Sequence, residues 1–198
     1  MKFIFIRHGK DDDRYRGGWS NLDLIDEGYE EASRLSSYLL KEKNNLNIKK
    51  IVASDLKRTV TTANIINEKL NLPMELDSSL REINNGDLAG MLNDDVLIKY
   101  PGLFFNSLEM DEKYPNGESP IDFFNRIKTW FYKAVDLYKD DDGSIILVTH
   151  GGVINIIYYI VKNLNWTNKE KFFKVSNCSI HILDLSKMEF ELENYIVR

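Results

Sequence analysis

Twice in this chain a short apolar run ends in histidine and glycine. KFIFI at 2–6 leads into Arg7, His8 and Gly9, and SIILVT at 144–149 leads into His150, Gly151 and Gly152. Runs this short, rich in Phe, Ile and Val and stopped abruptly by polar residues and glycine, read as buried strands. In open α/β sheets, ligands bind beyond the carboxyl ends of the strands. His8 and His150, 142 positions apart, both sit at such ends. If the two strands are neighbours, both imidazoles face one crevice. Gly9 and Gly151 then leave the backbone free to turn sharply and approach a ligand. A lone histidine in this place reads as packing at the sheet rim. Two in the same context, one beside Arg7, point to a shared site. The third histidine, His181, lies in the alternating run NCSIHILDL and reads as structural.

The intervening chain alternates helical and extended patterns. A helix is expected from Asp26, as its cap, to near Asn44, burying Ala32, Leu35, Leu39 and Leu40. KKIVA at 49–53 is a second strand. Ser54 or Asp55 is expected to cap the next helix, which runs to near Asn71 with Val60, Ala63, Ile66 and Leu70 on one face and Pro73 beyond it. MELD at 74–77 is extended. Residues 78–118 are irregular, with one short helix at 93–99, and 84–118 with Phe104, Phe105 and Tyr114 suggest a lid or substrate wall. Ser119-Pro120-Ile121-Asp122 is a strong helix start. That helix should reach Lys139 and bury Ile121, Phe124, Ile127, Phe131 and Val135. A helix apolar nearly all round follows at 152–163, then strands near 178–185 and 189–196. Alternating strands and helices predict one α/β domain over 1–198, with a mostly parallel central sheet flanked by helices.

Composition narrows the function. The single cysteine, Cys178, excludes an internal disulfide framework and a Cys-based zinc site. A net charge of −5 argues against a broad nucleic-acid-binding face. The longest apolar stretch, 153–161, is too short to span a bilayer, which takes about 20 residues, so a membrane partner is not expected and the cytoplasm is the expected compartment. Of the 26 cationic residues only 8 are Arg. Their placement is therefore informative. Arg7 and Arg58 lie at strand ends, Arg14 and Arg16 in the loop after His8, and Arg81 beside Glu82. Arg126 follows the Ser119 cap and reads as the partner of a surface acid. Arginine suits multidentate phosphate recognition, so the expected ligand is a small phosphorylated metabolite.

Five ordered segments resemble the histidine phosphatase superfamily, which includes the cofactor-dependent phosphoglycerate mutases and many phosphomonoesterases. They are RHGK at 7–10, SDLKRTVTTA at 54–63, REINNGDLAG at 81–90, PNGES at 115–119 and LVTHGGV at 147–153. The resemblance implies a phosphoglycerate mutase-like three-layer sandwich. It implies that His8 is a nucleophile that becomes phosphohistidine, that Arg7 and Arg58 clamp the phosphate, that His150 is the second pocket histidine and that Glu82 is the proton donor. Gly151, Lys10, Arg14, Arg16 and Asn177 are further candidate substrate contacts. No cofactor or metal is implied, and a monomer or homodimer is compatible.

The chemistry is coherent on its own terms. A neutral imidazole is a competent nucleophile if its attacking nitrogen is bare and a backbone carbonyl holds the other. Fixed cations, Arg7, Arg58 and a protonated His150, would stabilise the transferring phosphoryl group. The sequence also departs from the family. An acid or Gln and then Thr or Ser usually follow RHG, whereas here stand Lys10 and Asp11. Asp11, Asp12 and Asp13 are expected either to face solvent or to meet Lys10, Arg14 and Arg16. The 68 positions from Glu82 to His150, and the short stretch after the last strand, favour the compact phosphatase branch over a mutase. A catalytically weak phosphate-binding module is the competing reading of another class.

Overall fold

β1 (Lys2–Arg7) and β4 (Ser144–Thr149) are parallel neighbours, paired from Lys2 with Ser144 to Arg7 with Thr149. The 142-position offset of the two histidines is therefore the register of this pair. One step beyond it, the His8 N–H donates to the Thr149 carbonyl at 3.0 Å, which sets His8 and His150 side by side. The computed structural model describes residues 1–170 and 173–197. In chain order the other elements are α1 (Asp26–Glu42), β2 (Ile48–Ala53), α2 (Lys57–Leu70), β3 (Met74–Leu76), α3 (Asn93–Lys99), α4 (Pro120–Tyr138), α5 (Gly151–Val161), β5 (Ile180–Asp184) and β6 (Glu189–Tyr195). The six-stranded sheet runs β3-β2-β4-β1-β5-β6. The first three pairings are parallel and the last two antiparallel, so the sheet is mixed with a parallel centre, within the expected α/β class.

Alternation along the central strands builds the three layers. Phe3, Phe5, Ile145 and Leu147 pack on one face with Phe123, Ile127 and Phe131 of α4 and Ile157 of α5. Ile4, Ile6, Ile146 and Val148 pack on the other with Leu35 and Leu39 of α1 and Ala63 and Ile66 of α2. Each of these side chains larger than alanine contributes about 1.5–3 kcal/mol by leaving water.

Several local expectations are corrected. Ile25 and Leu56 precede α1 and α2, and neither helix has a side-chain cap. Asp26 instead lies in the first turn of α1, where its charge suits the helix dipole. Ser54 and Asp55 are drawn to His150 and Arg81 instead. Leu40 is exposed. In α4 the Ser119 capping box forms as expected, but the buried stripe is Phe123, Ile127, Phe131 and Ala134. Ile121, Phe124 and Val135 are only half-buried, because the i, i+4, i+8 row of aromatic and branched residues faces the sheet. The strand expected from 178 starts at Ile180. Cys178, with φ 49°, belongs to the turn before it.

The irregular segment is pinned rather than detached. The Arg16 N–H donates to Met91 O and the Gly90 N–H to Arg16 O, so residues 90–93 ladder against the loop after β1. Leu88, Val96, Leu108 and Tyr114 are buried in the first core cluster. Among the described residues no helix is long and apolar enough to cross a membrane.

Candidate active site

His8 is buried beyond the end of β1. Its Nδ1–H donates to the Gly9 carbonyl at 2.7 Å, and its Nε2 accepts from Arg58 Nε at 3.2 Å. A carbonyl can only accept and a guanidinium can only donate, so the tautomer is set with the lone pair on Nε2. His150 is fully buried and is held the opposite way. Its Nδ1 accepts from Arg58 Nη2 at 3.2 Å, which leaves Nε2–H for Ser54 Oγ at 3.0 Å. The ring centroids are 5.2 Å apart.

Arg58 joins them. It lies in the first turn of α2, is 1% exposed, and also donates to Gly18 O at 2.8 Å and to Ser20 O at 3.4 Å. Arg7 donates Nη1–H to Val175 O at 2.9 Å, while its Nε is buried and unpartnered. Burial, then Arg58 and Arg7, hold the His8 pKa well below the ordinary imidazole value. Burial, then Arg58, do the same for His150, with smaller contributions from His8, Arg7 and Arg126. Both rings are therefore neutral near pH 7. A second cation beside two guanidiniums in a buried pocket is disfavoured, which works against a protonated His150.

Glu82 reaches the pocket from the loop after β3. Its carboxylate accepts the N–H of Gly152, in the first turn of α5, at 2.9 Å and that of Ile83 at 3.1 Å. A Cβ at position 152 would run into Glu82 Oε1. Gly152, which the sequence reading passed over, thus makes room for the acid, whereas Gly151 borders Arg7 without a tight contact. Gly9 is needed for a reason other than a sharp turn: a Cβ there would meet the backbone of Gly28 in α1.

The Glu82 backbone is clamped as well. Its carbonyl accepts from Trp19 Nε1 at 2.7 Å and from Arg126 Nη2 at 3.1 Å. Arg81 pairs with Asp55 at 2.6 and 2.5 Å and lies over the Trp19 ring. Arg126 does bind an acid, Glu118, but also donates to the carbonyls of Ser79 and Arg81. Trp19, Asp55, Ser54 and Arg126 are positioning residues, a part that the sequence did not mark for any of them. Their partners lie far away in sequence, so no local pattern marks them.

The remaining candidates divide. Asn177 donates Nδ2–H to the His8 carbonyl at 3.2 Å and so steadies the backbone there. Lys10 turns to Glu27 of α1 at 2.6 Å, and Arg14 folds back on Asp12, so neither joins the cluster. Arg16 stacks on Phe104, 4.9 Å from its ring centre. Asp13 is exposed, and Asp11 approaches Arg58 Nε at 3.5 Å. The roomy surface clefts, of about 660 and 730 Å³, lie beside α4 and β6; Arg126 lines the first, but neither is lined by Arg7, His8, Arg58, Glu82 or His150. Among the described residues no His, Cys, Asp and Glu side chains are grouped as a metal site would need.

His181 supports the turn behind His8. Its Nδ1 accepts from Tyr158 Oη at 2.8 Å and from the Asn194 N–H at 3.2 Å, and its Nε2–H meets Ser179 Oγ at 2.9 Å. Ser179 in turn donates to Ser176 O at 2.6 Å, next to Asn177. Burial lowers the His181 pKa to about 4. All three histidines thus take up a proton more readily in the unfolded chain, and the folded state loses stability as pH falls from about 6.5. His181 alone accounts for about 3 kcal/mol across the window down to its folded pKa. Denaturant midpoints measured between pH 7.5 and 4.5 should fall toward acid, and less steeply in His181→Gln.

Sheet, helices and pocket together define an enzyme of the phosphoglycerate mutase-like α/β class. Residues 3–197 match the family model of the histidine phosphatase superfamily (branch 1), and the chain belongs to that superfamily. Phosphoglycerate mutase-like protein 4 of Arabidopsis thaliana is 30% identical over 93% of this chain and 79% of its own length. Phosphoserine phosphatase 1 of Hydrogenobacter thermophilus is 27% identical over 94% and 88%. The crystal structure of the alpha-ribazole phosphatase from Shigella flexneri superposes with a TM-score of 0.80 at 19% identity, covering 100% of this chain and 96% of that one.

Proposed function

We propose that this protein is a phosphomonoester hydrolase of the cytoplasm that acts on a small phosphorylated metabolite through phosphohistidine on His8, without needing a metal. The observation that carries the reading is the tautomer of His8. Gly9 O holds Nδ1–H, and the bare Nε2 is directed to Arg58 between Arg7 and His150. In the first step Nε2 attacks phosphorus and the ester P–O bond breaks. Arg7, whose buried Nε lacks a partner, and Arg58 hold the phosphoryl oxygens, and His150 keeps Arg58 in place through Nδ1. Protonated Glu82 gives its proton to the leaving oxygen. In the second step the Glu82 carboxylate takes a proton from water, which attacks phosphorus, and the P–N bond breaks to restore His8.

A phosphatase-type name among the relatives supports hydrolysis. Mutase-type transfer would use the same groups, and the Arabidopsis relative's name favours it. Release of inorganic phosphate from a panel of phosphorylated metabolites, with EDTA present, distinguishes the two. Transfer to a second hydroxyl without release would overturn hydrolysis, and phosphate binding without turnover would make the chain a binding module. In Glu82→Gln, kcat/KM, which is set by phosphoryl transfer to His8 and not by the later hydrolysis that all esters share, is expected to fall by about 10²–10⁴-fold for alkyl phosphates. The loss should be much smaller for p-nitrophenyl phosphate, whose leaving group needs no proton. Equal losses would remove Glu82 as the acid.

A further inference from the structure

Asp11 places a carboxylate against the guanidinium that the phosphoryl group must use. Its Oδ2 is 3.5 Å from Arg58 Nε, the atom that donates to His8 Nε2 at 3.2 Å. A single N–H projects from Nε, so Asp11 holds the charge of Arg58 without taking its hydrogen bond. The Asp11 side chain is 20% exposed, and a bridge pairing to Leu24 fixes its backbone. The charge is therefore largely shielded from solvent. Three nearby cations are paired with other acids, Lys10 with Glu27, Arg14 with Asp12 and Lys57 with Asp23, whereas Arg16 lies on the Phe104 ring with its buried Nε unpartnered.

We infer that Asp11 is a specificity-determining residue that resists bare phosphate and selects phosphomonoesters carrying a cationic group, such as an ammonium, close to the phosphate. A phosphate oxygen arriving at Arg58 meets like charge beside it. That disfavours ligands that are anionic only. Once a phosphoryl group takes over Arg58, Asp11 has lost its partner, and Lys10, Arg14 and Lys57 are held by other acids. A substrate ammonium restores the pairing, and a hydroxyl in the same place does so less well.

This inference rests on the phosphatase reading, and two measurements on the full chain separate their failures. The first is calorimetric binding of inorganic phosphate to wild type and to Asp11→Asn, which keeps the side-chain shape and removes the charge. Affinity should rise tenfold or more in the variant. The second is kcat/KM for phosphoethanolamine against 2-hydroxyethyl phosphate. Wild type should favour the amine by tenfold or more, and Asp11→Asn should lose that preference. A thermal melt confirms that the variant is folded. Phosphate affinity or amine preference that is unmoved by Asp11→Asn overturns the inference. No turnover of any ester, with tighter phosphate binding still seen in the variant, overturns the phosphatase reading instead and leaves the electrostatic role of Asp11 standing.

Discussion

Replacing His8 with alanine should abolish the acid-labile phosphoenzyme and lower turnover by about 10⁴-fold or more. The expectation follows from how narrowly His8 is held. Its Nδ1–H is bound to Gly9 O, its backbone is anchored by Thr149 and Asn177, and Nε2 is the only nitrogen left to attack. No other imidazole can take over. Nδ1 of His150 accepts from Arg58 and its Nε2–H is turned to Ser54, and His181 is engaged behind the turn. Because Arg7 and Arg58 remain in His8→Ala, vanadate binding should persist while turnover is lost. The measurement is acid quenching after incubation with a labelled phosphomonoester, with added imidazole as a rescue test. Undiminished label on His8→Ala would sink the phosphohistidine mechanism.

Arg126→Ala should be the most disruptive change outside the pocket. One guanidinium makes five hydrogen bonds, to both carboxylate oxygens of Glu118 and to the carbonyls of Ser79, Arg81 and Glu82. Its side chain and that of Glu118 are only 20% and 18% exposed, so the pair is weakly screened and its loss leaves Glu118 short of a partner. The expected cost is about 3 kcal/mol, read as a shift of the denaturant midpoint. The same bonds fix the backbone that carries Glu82, so kcat should fall while KM changes little, since Arg7 and Arg58 do not touch Arg126. Arg126→Lys should rescue poorly, because a point charge cannot reproduce the planar fork. Full activity in a destabilised Arg126→Ala would show that Trp19 alone suffices to place the acid.

How far the chain could be read in advance depended on the range of the interactions involved. The helix start at Ser119 was legible because a capping box is made within four residues. The start of α2 was misplaced because Ser54 and Asp55, good caps in isolation, have stronger partners elsewhere: His150 for one and Arg81 for the other. The buried stripe of α4 was misread because several of its residues are apolar, and only the sheet decides which row faces it. Lys10 and Arg14, cations in the loop after His8, read as phosphate contacts, but nearby acids claim them first.

The sequence by itself determined that two strands end in His-Gly, that scarce arginines cluster around those ends, and that Glu82 follows one of them. Those features are written in short, contiguous patterns of hydrophobicity and residue type. Only the tertiary structure decided what the groups do to one another. The β1–β4 register brings His8 beside His150. Burial beside Arg7 and Arg58 then disfavours the charged form of both rings, and one guanidinium is shared between two imidazoles and Asp11. Hydrogen-bond partners, protonation and the direction of a carboxylate depend on which distant segments exclude water together, and that is a property of the packed molecule rather than of any stretch of chain.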